Sequence, residues 1–568
     1  MCKVILAENG KACMPVAVEK GAGEVILNAA KELAHYLRRI TGAKFEVEEA
    51  AAGAAVRLTV DTGLEEEEFV IQTGCDGLTI AGGTERGVLY GVYGLLEDVL
   101  GCRFYAHDVT KLPKLETLAL ENLKYRDKPA LEYRQLDYPL ALYPEWRARN
   151  RLNGQGGQNQ EMKQYGGVKT YALFVHTFNR LVPPEVYFDE HPEYYSMVDG
   201  KRIRERSQLC LTNPEVISIA AESVRRLLRE NPEATLISVS QNDCYNPCEC
   251  PECAKVDAEN GSHAGTLIQF VNAIAEAIEE EFPHVVVDTL AYQYTRTPPR
   301  VVKPRHNVCV RLCSIECCFG HPLETCNEVT GPFKAVKKTS GSSFQEDLIG
   351  WGKICSRIYI WDYVTNYLYY WLPFPNFHVL GPNVRFFVKN GVKGVYEEGN
   401  HQSVSPDMTE MRSWLLAKLL WNPDFDVKQG IHEFTENVYG PAAGEIRAYI
   451  ELLEKRVTEG NIHFGIYESP DIAYLDADTV QKAQQLMAEA QAKELTLSQR
   501  LYVEKAALSV EFVAVCHEIL RGNVDAERID ALADKGRTLG ISRLSEGPEW
   551  NVMCRRMREG CLKRISFD

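Results

Sequence analysis

Between about residues 131 and 400, short apolar runs alternate with stretches that have the period of an amphipathic helix. This alternation is the signature of parallel β/α units. The apolar runs end at Tyr138, His176, Gln241, Gln293, Ser314, Asp362 and Tyr396. Seven or eight such units fit a (β/α)8 TIM-like barrel, whose typical size is about 250 residues. An open doubly wound sheet is the alternative, but its usual glycine-rich first turn is not found.

The flanking segments differ from this central one. Residues 1–128 predict a small α/β domain, with helices over 24–40 and 85–100 and strands over 68–72 and 77–81. Three glycines inside the second helix, Gly87, Gly91 and Gly94, indicate close packing against a sheet. A helical domain over 405–568 is predicted from helical periodicity over 408–420, 427–438, 446–457, 479–494, 498–520 and 526–532. The chain is therefore predicted to be an α/β protein with a small domain over 1–128, a catalytic barrel over 129–404 and a helical domain over 405–568.

Charge and hydropathy exclude several classes of partner. The formal net charge of −16 argues against nucleic-acid binding, which requires a basic surface for phosphates. No apolar run reaches the roughly 18 residues of a membrane span, and no basic amphipathic helix is present. The first residues lack the long apolar region of a secretory signal, so we expect a cytoplasmic location.

In a barrel, function belongs at the carboxyl ends of the strands. Acids, amides and aromatic residues follow several of the apolar runs and line the kind of site that a carbohydrate requires. Glycosidic cleavage also needs a protonated carboxyl and a second group that stabilises the transition state or activates water. The candidates are His176, Asn242, Asp243, Tyr292, Tyr294, Glu316, Trp361, Asp362, Tyr363, Glu397, Glu398, Asn400 and His401.

Each candidate also has a structural interpretation. An acid at a strand end often caps a helix or forms a salt bridge, and Glu316 lies beside Cys317 and Cys318, where packing can dictate the position. Glu397 and Glu398 alternate along a strand, so one faces the site and the other need not. His176 is as well explained by a structural hydrogen bond as by a ligand contact.

Four cysteines, Cys244, Cys248, Cys250 and Cys253, fall within ten residues. Four thiolates at short spacing can hold a tetrahedral zinc. The Cys-x-Cys step, however, is too tight for a standard zinc knuckle, so packed thiols or disulfides are the favoured interpretation. Because no His-Glu-x-x-His pattern is present either, we predict no catalytic metal and no cofactor.

Several of these segments together resemble a known family. They are Ser238–Asp243, Cys248–Cys253, Asp288–Tyr294, Leu312–Cys318, Ile360–Asn366 and Gly394–Glu397, with His176 and His191–Tyr195 upstream. They are similar to the bacterial DUF4838 domain class, grouped as glycoside hydrolase family 163. The N-terminal segment resembles the small α/β domain that precedes the barrel in α-glucuronidases and β-hexosaminidases. The resemblance covers most of residues 20–455.

This resemblance implies an endo-β-N-acetylglucosaminidase that acts on the chitobiose core of N-glycan oligosaccharides. Such a substrate can use its own acetamide oxygen as the nucleophile, so the protein supplies a general acid and a group that orients the acetamide. We predict Glu397 as the acid and Asp243, beside Asn242, as the orienting carboxylate, with Glu316 as a reserve acid. The two catalytic roles are interchangeable at this stage. The other candidates would bind the sugar.

Three rival functions remain open from the sequence. An α-glucuronidase-type enzyme would need a basic pocket for a uronate, for which Arg134, Arg296 and Arg311 are candidates. A non-catalytic carbohydrate-binding protein that keeps the barrel is the second rival, and a metalloprotein built on the cysteine cluster is the third. The sequence does not indicate an oligomeric state.

Overall fold

The computed structural model describes residues 3–154, 159–334 and 342–562. The strands are β1 Lys3–Glu8, β2 Lys11–Ala12, β3 Val16–Val18, β4 Val47–Glu49, β5 Ala55–Val60, β6 Phe69–Gly74, β7 Gly77–Gly82, β8 Arg103–Phe104, β9 Thr110–Lys111, β10 Leu118–Glu121, β11 Lys124–Asp127, β12 Tyr133–Asp137, β13 Met197–Val198, β14 Lys201–Arg202, β15 Leu236–Ser238, β16 Val286–Ala291, β17 Val308–Cys313, β18 Ile358–Tyr363 and β19 Val392–Glu398. The helices are α1 Glu24–Thr41, α2 Glu85–Gly94, α3 Pro144–Arg149, α4 Phe178–Leu181, α5 Pro184–Tyr187, α6 Pro214–Glu230, α7 Pro251–Asn260, α8 Ala264–Glu279, α9 Phe344–Ile354, α10 Phe377–Lys389, α11 Thr409–Trp421, α12 Val427–Val438, α13 Ala443–Gly460, α14 Ala477–Gln491, α15 Leu497–Leu520, α16 Ala526–Thr538 and α17 Trp550–Arg558.

The chain forms two compact units, and each unit is assembled from separate stretches of sequence. The first comprises Met1–Val168, Met408–Gly444 and Lys493–Tyr502; the second comprises Lys169–Asp407, Glu445–Ala492 and Val503–Asp568. The three continuous domains expected from the sequence, 1–128, 129–404 and 405–568, stay a prediction.

In the first unit, α1 and α2 pack on a mixed sheet of order β11-β6-β7-β5-β3-β4. The predicted close approach of α2 is confirmed at two glycines. A Cβ on Gly91 would lie 2.6 Å from a methyl group of Ile80, and one on Gly94 would lie 2.6 Å from the ring of Phe69. Any larger side chain would therefore push α2 away from the sheet.

The first unit also buries charges, and it buries them in pairs. Glu67, which is 4% exposed, lies 2.7 Å from a guanidinium nitrogen of Arg134 and 3.0 Å from one of Arg86. Glu97 in turn contacts Lys418 at 2.5 Å and Arg151 at 3.5 Å. A buried charge is tolerated when an opposite charge and hydrogen bonds replace water.

The second unit contains the predicted parallel strands, in the order β19-β18-β17-β16-β15. The helices α6 and α8 cover one side, and their apolar stripes form a core with Val239, Val287 and Val308. The prediction of a closed barrel is wrong, because the described strands of this unit form a curled half-barrel. The predicted strand ending at His176 contributes only one isolated bridge, Tyr171 to Leu236, and His176 itself has a φ of 55°. That backbone conformation does not continue a strand.

The predicted helices after residue 405 are confirmed as α11 to α16, with ends that differ by a few residues in most of them. The main differences are α17, which the sequence did not predict, and α16, which continues past its predicted end to Thr538. Among the helices that the structure describes, none is both long and apolar enough to cross a membrane.

Candidate active site

A cleft lies where β16 to β19 of the second unit end. Its volume is about 300 Å³, at the lower end of the range for small-molecule sites. The cleft is lined by Leu290, Cys313, Ile315 and Ile466, by the aromatic residues His176, Tyr292, Trp361, Tyr363, Tyr367 and Tyr467, and by the carboxylates Asp243, Glu398 and Glu546. An aromatic wall with carboxylates is the lining that the sequence predicts for a sugar site.

Glu398 faces the cleft because of the strand register between β18 and β19. Tyr363 pairs with Glu398, and Trp361 pairs with Tyr396. Residues at alternate positions share a face of the sheet, so Glu398 joins the face of Trp361 and Tyr363. The indole N–H of Trp361 donates a hydrogen bond of 2.6 Å to Oε2 of Glu398.

Glu397 lies on the other face, where it meets Asp362. Both acids are almost fully buried, at 1% and 3% exposed. Burial raises the pKa of Glu397 well above its ordinary value, and raises the pKa of Asp362 to about 6. Oε2 of Glu397 has no hydrogen-bond partner in the described part of the chain. The predicted general acid therefore does not line the cleft, and its catalytic role stays a prediction that the geometry disfavours.

Asp243 enters the cleft from the loop after β15 and is exposed. The Tyr292 hydroxyl donates a hydrogen bond of 3.1 Å to its Oδ1. His176 lines the same cleft, and its Nδ1 lies 2.9 Å from the carbonyl oxygen of Gln241. A left-handed backbone at a non-glycine residue, as at His176, is uncommon and clusters at functional sites. Asp243, Tyr292 and His176 thus lie together, as the sequence predicts.

Glu546 is a cleft residue that the sequence did not indicate. It belongs to the segment between α16 and α17, and its backbone N–H donates to the carbonyl of Tyr367 at 3.1 Å. Burial raises the pKa of Glu546, the negative charge of Asp243 raises it further, and His401 opposes the shift. Glu546 therefore has the environment of a proton donor.

Tyr367 and Tyr467 were also missed. The hydroxyl of Tyr367 donates to the backbone carbonyl of Glu398 at 2.8 Å, and its ring lies 6.2 Å from that of Tyr467. Burial raises the pKa of Tyr467 most, and the charges of Glu546, Glu398 and Asp243 raise it further. A signal existed for Tyr367, since it lies in the tyrosine- and tryptophan-rich run 363–371 that follows β18.

Several predicted site residues lie outside the cleft lining. The amide of Asn242 bonds to Asn179 and Ser207, while Tyr294 packs edge-on against His263. Asn400 is fully buried and donates to the carbonyl of Ser403 within its own turn. His401 is exposed, and its charge acts on Glu546. These residues make contacts outside the cleft lining. Asp362, which is buried beside Glu397, is also absent from the lining.

Glu316 and the arginines proposed for a uronate pocket form buried ion pairs. Arg296 lies 2.7 Å from both Glu316 and Asp347, and Arg311 lies 3.1 Å from Asp288. Arg134 pairs with Glu67 in the first unit. Among the described residues that line the cleft, none is lysine or arginine.

Comparisons with known proteins identify the family. The model of a domain of unknown function, DUF4838, matches residues 104–451, which is more than half of the chain. The chain belongs to the DUF4838 family. In this DUF4838 chain, the model of glycosyl hydrolase family 20, domain 2, also matches residues 12–99. No curated protein matches the sequence.

Among solved structures, the DUF4838 chain is similar to a family GH115 4-O-methyl-α-glucuronidase, BtGH115A, which has specificity for decorated arabinogalactans. The TM-score is 0.59 at 14% identity, and the match covers 99% of this chain and 80% of that one. A Flavobacterium johnsoniae chitobiase gives a TM-score of 0.42 at 12% identity, covering 98% and 97%. The first match shows a shared fold, and the second score is too low to support an argument. The family 20 domain and the shared glycoside hydrolase fold support a glycosidase.

Proposed function

We propose that this protein is a glycosidase that cleaves N-acetylglucosaminides, with the endo-β-N-acetylglucosaminidase type of reaction on N-glycan-derived oligosaccharides. The observation that carries the proposal is the cleft itself, which combines three carboxylates with a wall of tyrosine and tryptophan. Aromatic faces stack on the C–H face of a sugar, while carboxylates bind its hydroxyl and amide groups.

The three carboxylates have different environments, and these suggest different roles. Glu546, whose pKa is raised by burial and by Asp243, is the proton donor to the leaving oxygen. Asp243, exposed and bonded to the Tyr292 hydroxyl, orients the substrate acetamide. Glu398, positioned by the indole of Trp361, stabilises the positive charge that develops at the sugar ring. Different environments of the acids in one site commonly give them different catalytic roles.

The charge of the cleft supports a neutral sugar rather than a uronate. A uronate carboxylate would meet Asp243, Glu398 and Glu546 without a lysine or arginine among the described lining residues. Like charges at short range cost free energy, most of all in a partly buried site. We therefore do not extend the α-glucuronidase activity of the GH115 enzyme to this chain. A cytoplasmic location, which would imply imported oligosaccharides as substrates, stays a prediction.

The test is mass spectrometry of the products from a panel of free N-glycans, chitobiose-cored oligosaccharides and glucuronoxylan fragments. Cleavage between the two N-acetylglucosamine units, with the glucuronosides left intact, is expected. Release of glucuronic acid would favour the uronate rival. Sugar binding without any product after long incubation would favour a carbohydrate-binding protein and remove the catalytic roles assigned above.

A further inference from the structure

The loop that carries Asp243 is held by four cysteines, Cys210, Cys248, Cys250 and Cys253, defined here as the all-cysteine cluster. All four side chains are at least 93% buried, and their sulfur atoms lie within 4.8 Å of one another. Cys244, which the sequence placed in this group, is not part of it. Its Sγ lies near the carbonyls of Arg206 and Ser207 instead. Cys210, which is distant from the other three in the sequence, takes its place.

The spacing of the sulfur atoms is that of metal ligands. Sγ of Cys210 lies 3.6 Å from that of Cys250 and 3.9 Å from that of Cys253. Four thiolates at about 2.3 Å from a tetrahedral zinc are separated from one another by about 3.8 Å. A disulfide would instead require about 2.05 Å. The separations in this cluster therefore match a shared tetrahedral ion.

The surroundings of the all-cysteine cluster supply hydrogen-bond donors to sulfur. The backbone N–H of Met197 and the guanidinium of Arg202 lie 3.4 and 3.5 Å from Sγ of Cys248. Thr212 Oγ1 lies 3.2 Å from Sγ of Cys253, and Cys253 itself lies in the first turn of α7. Hydrogen-bond donors around the ligand atoms orient them and are a usual feature of protein metal sites.

We propose that the all-cysteine cluster is a structural zinc site that braces the loop bearing Asp243. The mechanical link is Gln208, two residues before Cys210. Its side-chain N–H groups donate to the carbonyls of Asn242 and Cys244 at 2.9 and 2.7 Å, and its side-chain oxygen accepts from the Asn242 N–H at 2.8 Å. A metal bound to Cys210 and Cys248 would join the segment that carries Gln208 to the far end of the same loop.

A second cluster is independent of the first and has different ligands. Cys318, His321, Cys326 and His463, defined here as the cysteine–histidine cluster, also have their ligand atoms within 4.8 Å of one another. Sγ of Cys318 lies 3.4 Å from Nδ1 of His321, and Sγ of Cys326 lies 3.5 Å from Nδ1 of His463. Sulfur and nitrogen ligands of one tetrahedral zinc are about 3.6 Å apart.

The arrangement of the two imidazole rings also fits a shared ion. The rings of His321 and His463 lie 4.4 Å apart, and one nitrogen of each lies within 4.8 Å of the two sulfur atoms. The geometry points to a second zinc ion. It would join the loop after β17 to the segment that begins after α13, which carries Ile466 and Tyr467 into the cleft.

Metal analysis of the full-length protein, purified without chelator, tests both sites. About two zinc ions per chain are expected, falling to about one in Cys250→Ser and to about one in Cys326→Ser. Cys244→Ser and Cys317→Ser are the matched controls, because these buried cysteines adjoin the clusters without belonging to them; both should retain the full zinc content. If a control variant loses as much zinc as the test variant of the same cluster, the assignment of that cluster as a zinc site is wrong.

A second measurement does not depend on whether the variants fold. Wild-type protein is stripped of metal and titrated with Co²⁺, which gives intense thiolate charge-transfer bands when bound by cysteines in a tetrahedral site. Saturation of these bands at about two Co²⁺ ions per chain supports both sites. Absence of zinc from purified wild-type protein together with absence of thiolate–cobalt bands would overturn them. Iron in place of zinc would overturn them too, as would disulfides among these cysteines in protein purified under reducing conditions.

Discussion

The acids buried in the first unit and the carboxylates of the cleft in the second unit have different kinds of partner. Glu67 is enclosed by Arg86 and Arg134, and Glu97 by Arg151 and Lys418. The cleft acids instead meet a tyrosine hydroxyl, an indole N–H and other acids. Among the contacts described, only the first region provides arginine or lysine for its acids.

This difference teaches how to separate structural acids from reactive ones. A carboxylate between two cations is locked in its charged form and serves the fold. A carboxyl whose pKa is raised by burial and by a neighbouring negative charge keeps its proton to a higher pH than an ordinary carboxyl and can give that proton up to a substrate. Sequence position does not reveal the difference, because both kinds of acid adjoin apolar runs.

The largest expected effect is loss of turnover in Glu546→Gln. Removal of a general acid costs about 10²–10⁴-fold in rate, but only when the leaving group needs a proton. The variant should therefore lose activity on an N-glycan and retain much of it on an activated aryl glycoside. Steady-state kinetics on the two substrates measure this difference. An equal loss on both substrates would rule out the proton-donor role.

In the first unit, Glu67→Gln should act on stability instead. The substitution leaves the fully buried guanidinium of Arg134 without its charged partner, a change that costs about 3–5 kcal/mol. Urea unfolding should show a lower midpoint, while kcat per folded molecule stays near that of the wild type. The exposed Glu451→Gln is a control that should leave the midpoint unchanged. A Glu67→Gln variant that is as stable as the wild type would contradict the structural role assigned to the buried ion pairs of the first unit.

Glu397→Gln should change the stability of the protein by a smaller amount and in the opposite direction, as a gain. The folded protein holds Glu397 and Asp362 at raised pKa values, so it binds protons more tightly than the unfolded chain. Wild-type stability is therefore lost as pH rises from the ordinary carboxyl pKa through about 6, the pKa of Asp362. The neutral variant should be more stable than the wild type at pH 8, and its stability should depend less on pH. Thermal unfolding at pH 5 and pH 8 measures both, and a loss of stability at pH 8 would contradict the burial argument.

The smallest expected effect is a shift in a pH profile. Because the charge of Asp243 raises the pKa of Glu546, Asp243→Asn should lower that pKa, in addition to slowing turnover through loss of the group that orients the acetamide. Activity that requires protonated Glu546 falls as pH rises through its pKa, so the alkaline limb should move to lower pH. Profiles of kcat/KM on an N-glycan, compared with wild type, test this. If the alkaline limb does not move, the charge of Asp243 does not control the pKa of Glu546.

Much of the fold was predictable because it depends on local periodicity. The helices of residues 405–538 and the strands β16 to β19 are strong, continuous patterns, and the sequence places most of them within a few residues. The closure of the barrel was not predictable, since the segment at His176 has the apolar composition of a strand but a turn at its end. Periodicity reports burial, and it does not report which neighbour a segment pairs with.

The site was predictable only as far as it lies on strand ends. Asp243, Tyr292, Trp361 and Tyr363 were predicted from such positions, and all four line the cleft. The choice between Glu397 and Glu398 depends on strand register, which a single sequence does not specify. Glu546 and the proposed ligand Cys210 come from distant parts of the chain, and no local pattern connects them to the cleft or to the other cysteines.

The most direct test of the account compares Glu398→Gln with Glu397→Gln on a chitobiose-cored N-glycan, with circular dichroism to show that both variants fold. These neighbours are chemically identical and occupy opposite faces of β19. The account predicts that Glu398→Gln lowers kcat/KM by about 10²–10³-fold, the usual cost of removing a charge-stabilising group, while Glu397→Gln stays close to wild type. An inactive Glu397→Gln beside an active Glu398→Gln would contradict the assignment of the cleft as the active site.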